Sequence, residues 1–297
     1  MKLLKYLLVI TIAVITVSWG QKCCAQNASG CPKTEKKIAL QMYSVRDTLR
    51  ADFKGTIAAL SQIGFKDLEA AGYSDGKFYG LTPEAFKSEL EAVGLTALSS
   101  HTGHALAKNV SETDWDEVWK WWDTCIEAHK AVGMKYIVVA SMAVPKSLAD
   151  LKTYCNYFNQ IGEKCNAAGI GFGYHNHDHE FQKIEGEVMY DFMLKNTDPE
   201  KVFFQMDVYW AVIGIGKFRA GESSPVEYFK KYPGRFTILH LKDYKELGES
   251  GMVGFDAIYR NIGTAGAVYS IIEVEKYDYD PLESVKMSLE YLMNAPF

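Results

Sequence analysis

The chain lacks an excess of basic residues: its 32 Lys and Arg stand against 37 Asp and Glu, for a net charge of −5. Nucleic-acid binding draws on clustered cations, so this balance argues against DNA and RNA as partners. Cysteine is scarce and unpatterned. Of six, Cys23 and Cys24 lie at the edge of the N-terminal apolar stretch, Cys31 lies in a polar tail, and Cys125, Cys155 and Cys165 fall in helical patterns without metal-like spacing. That odd, sparse set is no disulfide framework, and the three inner cysteines read as small buried hydrophobes. No apolar run of membrane length follows the first 20 residues, so the body is expected to be soluble. A glycine-rich phosphate fingerprint is also missing after the first strand candidate, where Gln41-Met42-Tyr43-Ser44 stands instead.

What the N-terminus does contain is Lys2 and Lys5 followed by an apolar run from Tyr6 through Val17 to Gly20, the pattern of a secretory leader. Small residues at Cys23 and Ala25 suit cleavage before Gln26, giving a signal peptide over 1–25, a polar tail over 26–36 and one domain over 37–297. An exported protein, periplasmic or secreted, is expected. Lipidation at Cys23 or Cys24 is the alternative that would place it on a membrane, but Gln21-Lys22 suits that processing poorly.

Within the domain one phrase recurs: an amphipathic stretch, a glycine, a short apolar run, then a polar residue. It appears at Ile63-Gly64-Phe65, Val93-Gly94-Leu95, Val132-Gly133-Met134, Ala168-Gly169-Ile170 and Ala265-Gly266-Ala267. Each glycine sits where a left-handed helix cap is needed, and each following run is too short and too β-branched or aromatic to be another helix. Adding Ile38–Tyr43, Val202–Asp207 and Thr237–Lys242 gives eight strands. Helix starts are marked by Thr82-Pro83-Glu84 and Asp280-Pro281-Leu282-Glu283. Strict alternation implies parallel strands, and eight such units in one domain predict an α/β fold, the (β/α)8 TIM barrel.

Ionisable groups then fall at strand end after strand end: Glu69, His101, His175, Asp207, His240 and Glu273. Any one histidine is ordinarily a hydrogen-bonded structural residue. Six groups in matching register converge on the barrel mouth, where burying them together without a cation would cost several kcal/mol. A divalent ion removes that cost. His175, Asp207, His240 and Glu273 occupy the fifth to eighth strands and are the expected ligands; mixed imidazole and carboxylate donors suit Mn²⁺ or Zn²⁺, with Co²⁺ and Fe²⁺ also compatible. Glu69 and His101 are then free for proton transfer or substrate hydrogen bonds, with Glu273 a further proton-transfer candidate. Lys242, which shares the parity of His240, is placed to stabilise an oxyanion or a substrate hydroxyl, with Asp243 its candidate partner. His177 shares the parity of His175, while His179 reads as a loop residue. Trp210 offers either a face for sugar C–H groups or barrel packing, and Trp115, Trp119, Trp121 and Trp122 read as a helix packing face.

At these residues the chain resembles the xylose isomerase-like TIM barrel superfamily, in its sugar phosphate isomerase/epimerase branch. The resemblance runs from Leu40-Gln41-Met42-Tyr43-Ser44-Val45-Arg46-Asp47 to Asp280-Pro281-Leu282-Glu283-Ser284, through Tyr174-His175-Asn176-His177, Met206-Asp207, His240-Leu241-Lys242-Asp243 and Ile272-Glu273. It implies a metal held by Asp207, His240 and Glu273, and a small carbohydrate as partner, met by Tyr43, His177 and Trp210, with a homo-oligomer left open. His175 departs from it, standing where epimerising relatives carry a ligating Glu. Isomerisation or epimerisation of a non-phosphorylated sugar is the first functional expectation. Metal-assisted β-elimination of a 3-keto glycoside, which needs one base, is the second, and a non-catalytic sugar-binding barrel the third. The superfamily's endonucleases are disfavoured by the acidic balance.

Overall fold

In the computed structural model, which describes residues 36–297, eight parallel strands close into a barrel: β1 (Ile38–Gln41), β2 (Asp67–Ala70), β3 (Thr96–His101), β4 (Tyr136–Val139), β5 (Gly171–His175), β6 (Val202–Asp207), β7 (Ile238–Leu241) and β8 (Tyr269–Ile272). Each strand pairs with the next in sequence, and β8 pairs with β1. The expected leader, polar tail and Cys23, Cys24 and Cys31 lie outside the described residues. Among the described residues no helix is long and apolar enough to cross a membrane.

All five phrase glycines take positive φ, from 75° at Gly94 to 117° at Gly64, so the repeat marks helix ends as expected. Thr82 and Asp280 cap their helices by accepting from Ala85 N and Leu282 N. The first strand stops two residues short of Tyr43 because the Gln41 side chain accepts from Tyr43 N and turns the chain into a 3₁₀ segment, Met42–Val45. The seventh is likewise shorter than expected. The sixth runs over Val202–Asp207 as read from the sequence.

Strand parity sorts the interior into two levels. The lower one is apolar: Ala39, Leu98, Ile238, Tyr269 and Ile271 cluster with Tyr136 and Phe203 inside the barrel. Gly171 and Gly173 make room there, since a Cβ on Gly173 would lie 2.4 Å from the Phe203 ring. Two residues further along the same strands the side chains become polar, at Gln41, Gln205, His240 and Glu273. β3 reaches this level by a β-bulge. Leu68 pairs with Ala97 but Glu69 pairs with Ser99, so Leu98 has no partner of its own. Leu98 faces the apolar level, and the skipped register turns Ser99 and His101 inward as well.

Outside, the helices bury the main core against the outward strand faces. Trp122 is fully buried and donates from Nε1 to the Tyr157 hydroxyl at 2.6 Å, while Trp115, Trp119 and Trp121 pack beside it half-buried, so the tryptophans form the expected packing face. Cys125, Cys155 and Cys165 are free and buried, and burial pushes the thiols of Cys155 and Cys165 up to about 12, which makes them inert packing residues.

Candidate metal centre

The mouth gathers its functional side chains from every strand but β4. Asp207 ends β6 and its carboxylate divides its work: Oδ1 accepts from Trp210 N at 2.8 Å, capping the helix Val208–Arg219, while Oδ2 is buried without a partner. His240, in β7, is fully buried and also leaves Nδ1 unpartnered, 3.9 Å from Asp207 Oδ2 and 3.5 Å from Glu273 Oε2. Glu273 follows directly on β8. Asp207, His240 and Glu273 thus point one donor atom each at a common space, within 4.8 Å of one another. Leaving a buried polar atom unpaired costs about 1–3 kcal/mol, and here two face each other across a gap that hydrogen bonds do not close. One carboxylate oxygen and one imidazole nitrogen, facing a second carboxylate, fit a divalent cation of the Mn²⁺ or Zn²⁺ kind.

His175 differs from the expectation. It does not join the Asp207, His240 and Glu273 group but a second one with His101 and His240, its ring centroid 4.7 Å from that of His240. Its Nδ1 lies 2.9 Å from Gln205 Oε1, so the four expected ligands do not meet in one cluster. Glu69 departs further. It is fully buried beneath the mouth and accepts from Gln41 Nε2 (2.9 Å), Ser99 Oγ (2.7 Å), Gln205 Nε2 (2.8 Å) and His240 Nε2 (2.7 Å), with His101 Nε2 3.0 Å from its Oε1. A carboxylate filled in this way has no oxygen left for a substrate. His101 keeps its expected place at the mouth, its side chain 12% exposed.

Burial would raise the Glu69 carboxyl, but the adjacent His101 and His240 hold it well below the usual range. Glu273 behaves alike, burial being outweighed by His240 and Lys242. Burial pushes Asp207 up to about 7, against the pull of Lys242 and His240. For His240 burial is overcome by the carboxylates of Glu273 and Glu69, which raise it to about 10. His175, with no carboxylate against it, is depressed well below the ordinary imidazole value by burial and by its neighbouring imidazoles.

Lys242 lies on the inward face beyond His240, as its parity implied, but Asp243 is not its partner. The ammonium contacts Glu275 at 2.6 Å and Glu273 at 3.3 Å, and Asp243 instead ties down its own loop through Tyr244 N, Gly248 N and Ser250 Oγ. His177 faces the mouth with its ring 5.0 Å from His175 and 5.9 Å from Trp210. Trp210 takes the packing role: it lies on the core with the Lys242 ammonium 5.6 Å from its ring, and its Nε1 has no partner. Tyr43 stands at the rim, 44% exposed, under the Arg46 guanidinium at 4.5 Å. His179 pairs with Glu180 at 3.1 Å away from the cluster. Sequence reasoning missed Gln41, Ser99, Gln205 and Glu275, each two residues in sequence from a group it identified.

A closed eightfold barrel with such a constellation at its C-terminal mouth defines a (β/α)8 protein with a candidate metal centre. The chain belongs to the xylose isomerase-like TIM barrel family, whose model matches residues 57–295. It is similar to a sugar phosphate isomerase/epimerase from Parabacteroides distasonis, with 32% identity, a TM-score of 0.81, and coverage of 90% of this chain and 96% of that one. The same fold occurs in the 3-keto-D-glucoside 4-epimerase of E. coli (17% identity, TM-score 0.67, 88% and 100% covered) and in the IolI protein with a bound zinc atom (13%, 0.64, 87% and 97%). No curated protein sequence matches significantly.

Proposed function

We propose that the protein is a divalent-metal-dependent isomerase or epimerase of a small, non-phosphorylated sugar. The observation that carries this reading is the pair of buried, unpartnered donors Asp207 Oδ2 and His240 Nδ1 facing Glu273. Asp207, His240 and Glu273 would hold the ion, with His175 beside them. A bound cation supplies Lewis-acid polarisation of a carbonyl and the hydroxyl next to it, which acidifies the hydrogen between them.

The chain's own residues do the rest. His101 gives its Nε2 to Glu69 and Gln205, which leaves the Nδ1 lone pair to take the α-proton and return it to the neighbouring carbon in an isomerisation. Epimerisation needs a second group on the other face of that carbon, and Glu273 is the carboxylate open to it. Lys242, held between Glu273 and Glu275, presents a fixed positive charge to developing oxyanion character. Trp210 and His177 supply hydrogen-bonding atoms for hydroxyls, and Tyr43 an aromatic edge at the rim. The export expected from the N-terminal leader supports an unphosphorylated substrate.

The confinement of Glu69 favours a second reading. With Glu69 saturated and His175 in place of a Glu, one base suffices for β-elimination of a 3-keto glycoside: the C2 proton passes to His101, a C1–C2 double bond forms, and the C1–O bond breaks as Lys242 protonates the leaving oxygen. Purified protein incubated with plain aldoses and ketoses, and separately with a 3-keto glycoside, distinguishes the two. Aglycone release alone would reject isomerisation, and metal-free, fully active protein would reject both.

A further inference from the structure

We infer that Glu69 is a positioning residue that sets the tautomers of two mouth histidines at once, handing His240 to the metal and His101 to the substrate. This rests on the metal reading above. The hydrogen-bond roles follow from the donors that admit no choice. Ser99 Oγ donates to Glu69 Oε2, and the Gln41 amide, whose own oxygen is taken by Tyr43 N, donates to Glu69 Oε1. Glu69 is therefore an ionised acceptor, and the His240 Nε2 bonded to its Oε1 must carry hydrogen, while His101 Nε2 lies 3.0 Å from the same oxygen.

The Gln205 amide is oriented by the same carboxylate, since its Nε2 donates to Glu69 Oε2. Its Oε1 then faces the histidines and accepts from His101 Nε2 at 2.7 Å and His175 Nδ1 at 2.9 Å. Every imidazole touching this platform is thus protonated on its lower nitrogen. For His240 the consequence is that Nδ1, aimed at Asp207 and Glu273, is the nitrogen that gives up its proton to a metal while Nε2 keeps its own. A ligating histidine backed by a carboxylate is more basic and more tightly oriented than one backed by water, and removal of such backing weakens metal binding by about 10–100-fold. A single buried carboxylate reached by β2 in this way sits under both the ligand of β7 and the base of β3.

The test is calorimetric titration of chelator-stripped protein with zinc chloride, together with the imidazole N–H spectrum of the zinc-loaded form. Glu69→Gln is isosteric and keeps an acceptor for His240 but removes the charge; its zinc Kd should rise about 10–100-fold. The His240 Nε2 proton, strongly deshielded opposite a carboxylate, should move upfield. Ser99→Ala, which removes a donor from the far oxygen, should change the Kd by less than about threefold. Should Glu69→Gln not fold, Glu69→Asp, too short to reach both rings, is read in its place with the same expectation. Unchanged zinc affinity and an unmoved His240 resonance in the folded variant overturn this inference while leaving the metal site standing. Failure of the unsubstituted protein to bind zinc or manganese overturns the metal reading, and this inference with it.

Discussion

Asp207→Asn should raise stability without metal and abolish stabilisation by it, two opposite effects from one atom. Burial pushes the Asp207 carboxyl from 3.8 up to about 7, which corresponds to about 4 kcal/mol carried by the metal-free fold at pH 7. The sign follows from the direction of the shift: the folded state holds the proton more tightly than the unfolded one, so this burden is absent near pH 4 and grows as pH rises to 7. Asparagine keeps an oxygen for Trp210 N, and Asn caps helices as well as Asp does, so the start of Val208–Arg219 survives. Saturation at 100 times Kd stabilises the unsubstituted protein by about 2.7 kcal/mol, or roughly 5–10 °C for a domain of this size. Scanning calorimetry after chelator dialysis, with and without Mn²⁺ or Zn²⁺, should therefore give crossing results. Without metal the variant melts higher, by a margin that shrinks as pH falls toward 4; with metal the unsubstituted protein gains and the variant does not. A variant that melts lower without metal, or that keeps the metal increment, refutes the account of Asp207 Oδ2.

His129 is buried, its Nδ1 bonded to Cys125 O at 2.7 Å, and burial lowers it from 6.5 to about 4; unfolding therefore takes up a proton, and about 3 kcal/mol of stability should be lost as pH falls from 6.5 to 4. Urea unfolding at several pH values should show that slope reduced in His129→Asn. Gly162 lies inside the helix Leu148–Ala167, where a Cβ would come 2.2 Å from the Lys201 carbonyl oxygen, so Gly162→Ala should destabilise by roughly 1–3 kcal/mol although alanine is the better helix former. Denaturant titration reads the sign directly. Lys242→Met removes the ammonium that contacts Glu273 and Glu275 and should lower kcat at least tenfold with a smaller change in KM; a raised KM with kcat unchanged would mean that the lysine serves binding alone.

The barrel was legible because its cues are local. Gly64, Gly94, Gly133, Gly169 and Gly266 announce helix ends by a backbone conformation that other residues adopt only under strain, and the strand–helix alternation they punctuate dictates the topology. The upper rim of the site was legible for a related reason: a charged group closing an apolar strand is costly to bury unless it meets a partner, and this singled out Asp207, His240 and Glu273. Beneath that rim the reading stopped. Gln41, Ser99 and Gln205 sit two residues from Tyr43, His101 and Asp207 on the same inward faces, so alternation of two could have reached them, but an uncharged polar residue inside a strand sends no signal by itself. The role of Glu69 depends on partners up to 171 residues away, a distance no local pattern spans. Asp243 was misjudged because adjacency in sequence stood in for proximity, whereas Glu275 arrives from just beyond β8.

The bulge at Leu98 gives β3 a property the other strands lack. Alternation carried on from Leu98 would place Ser100 inside and His101 among the helices; the uncompensated residue reverses this, so an imidazole at the mouth is gained by a change of phase instead of a change of side chain. A strand of the same length without the bulge would carry the imidazole out of the cavity, with every other mouth residue still in place. The face of β3 that carries the imidazole is therefore set by a frame of one residue.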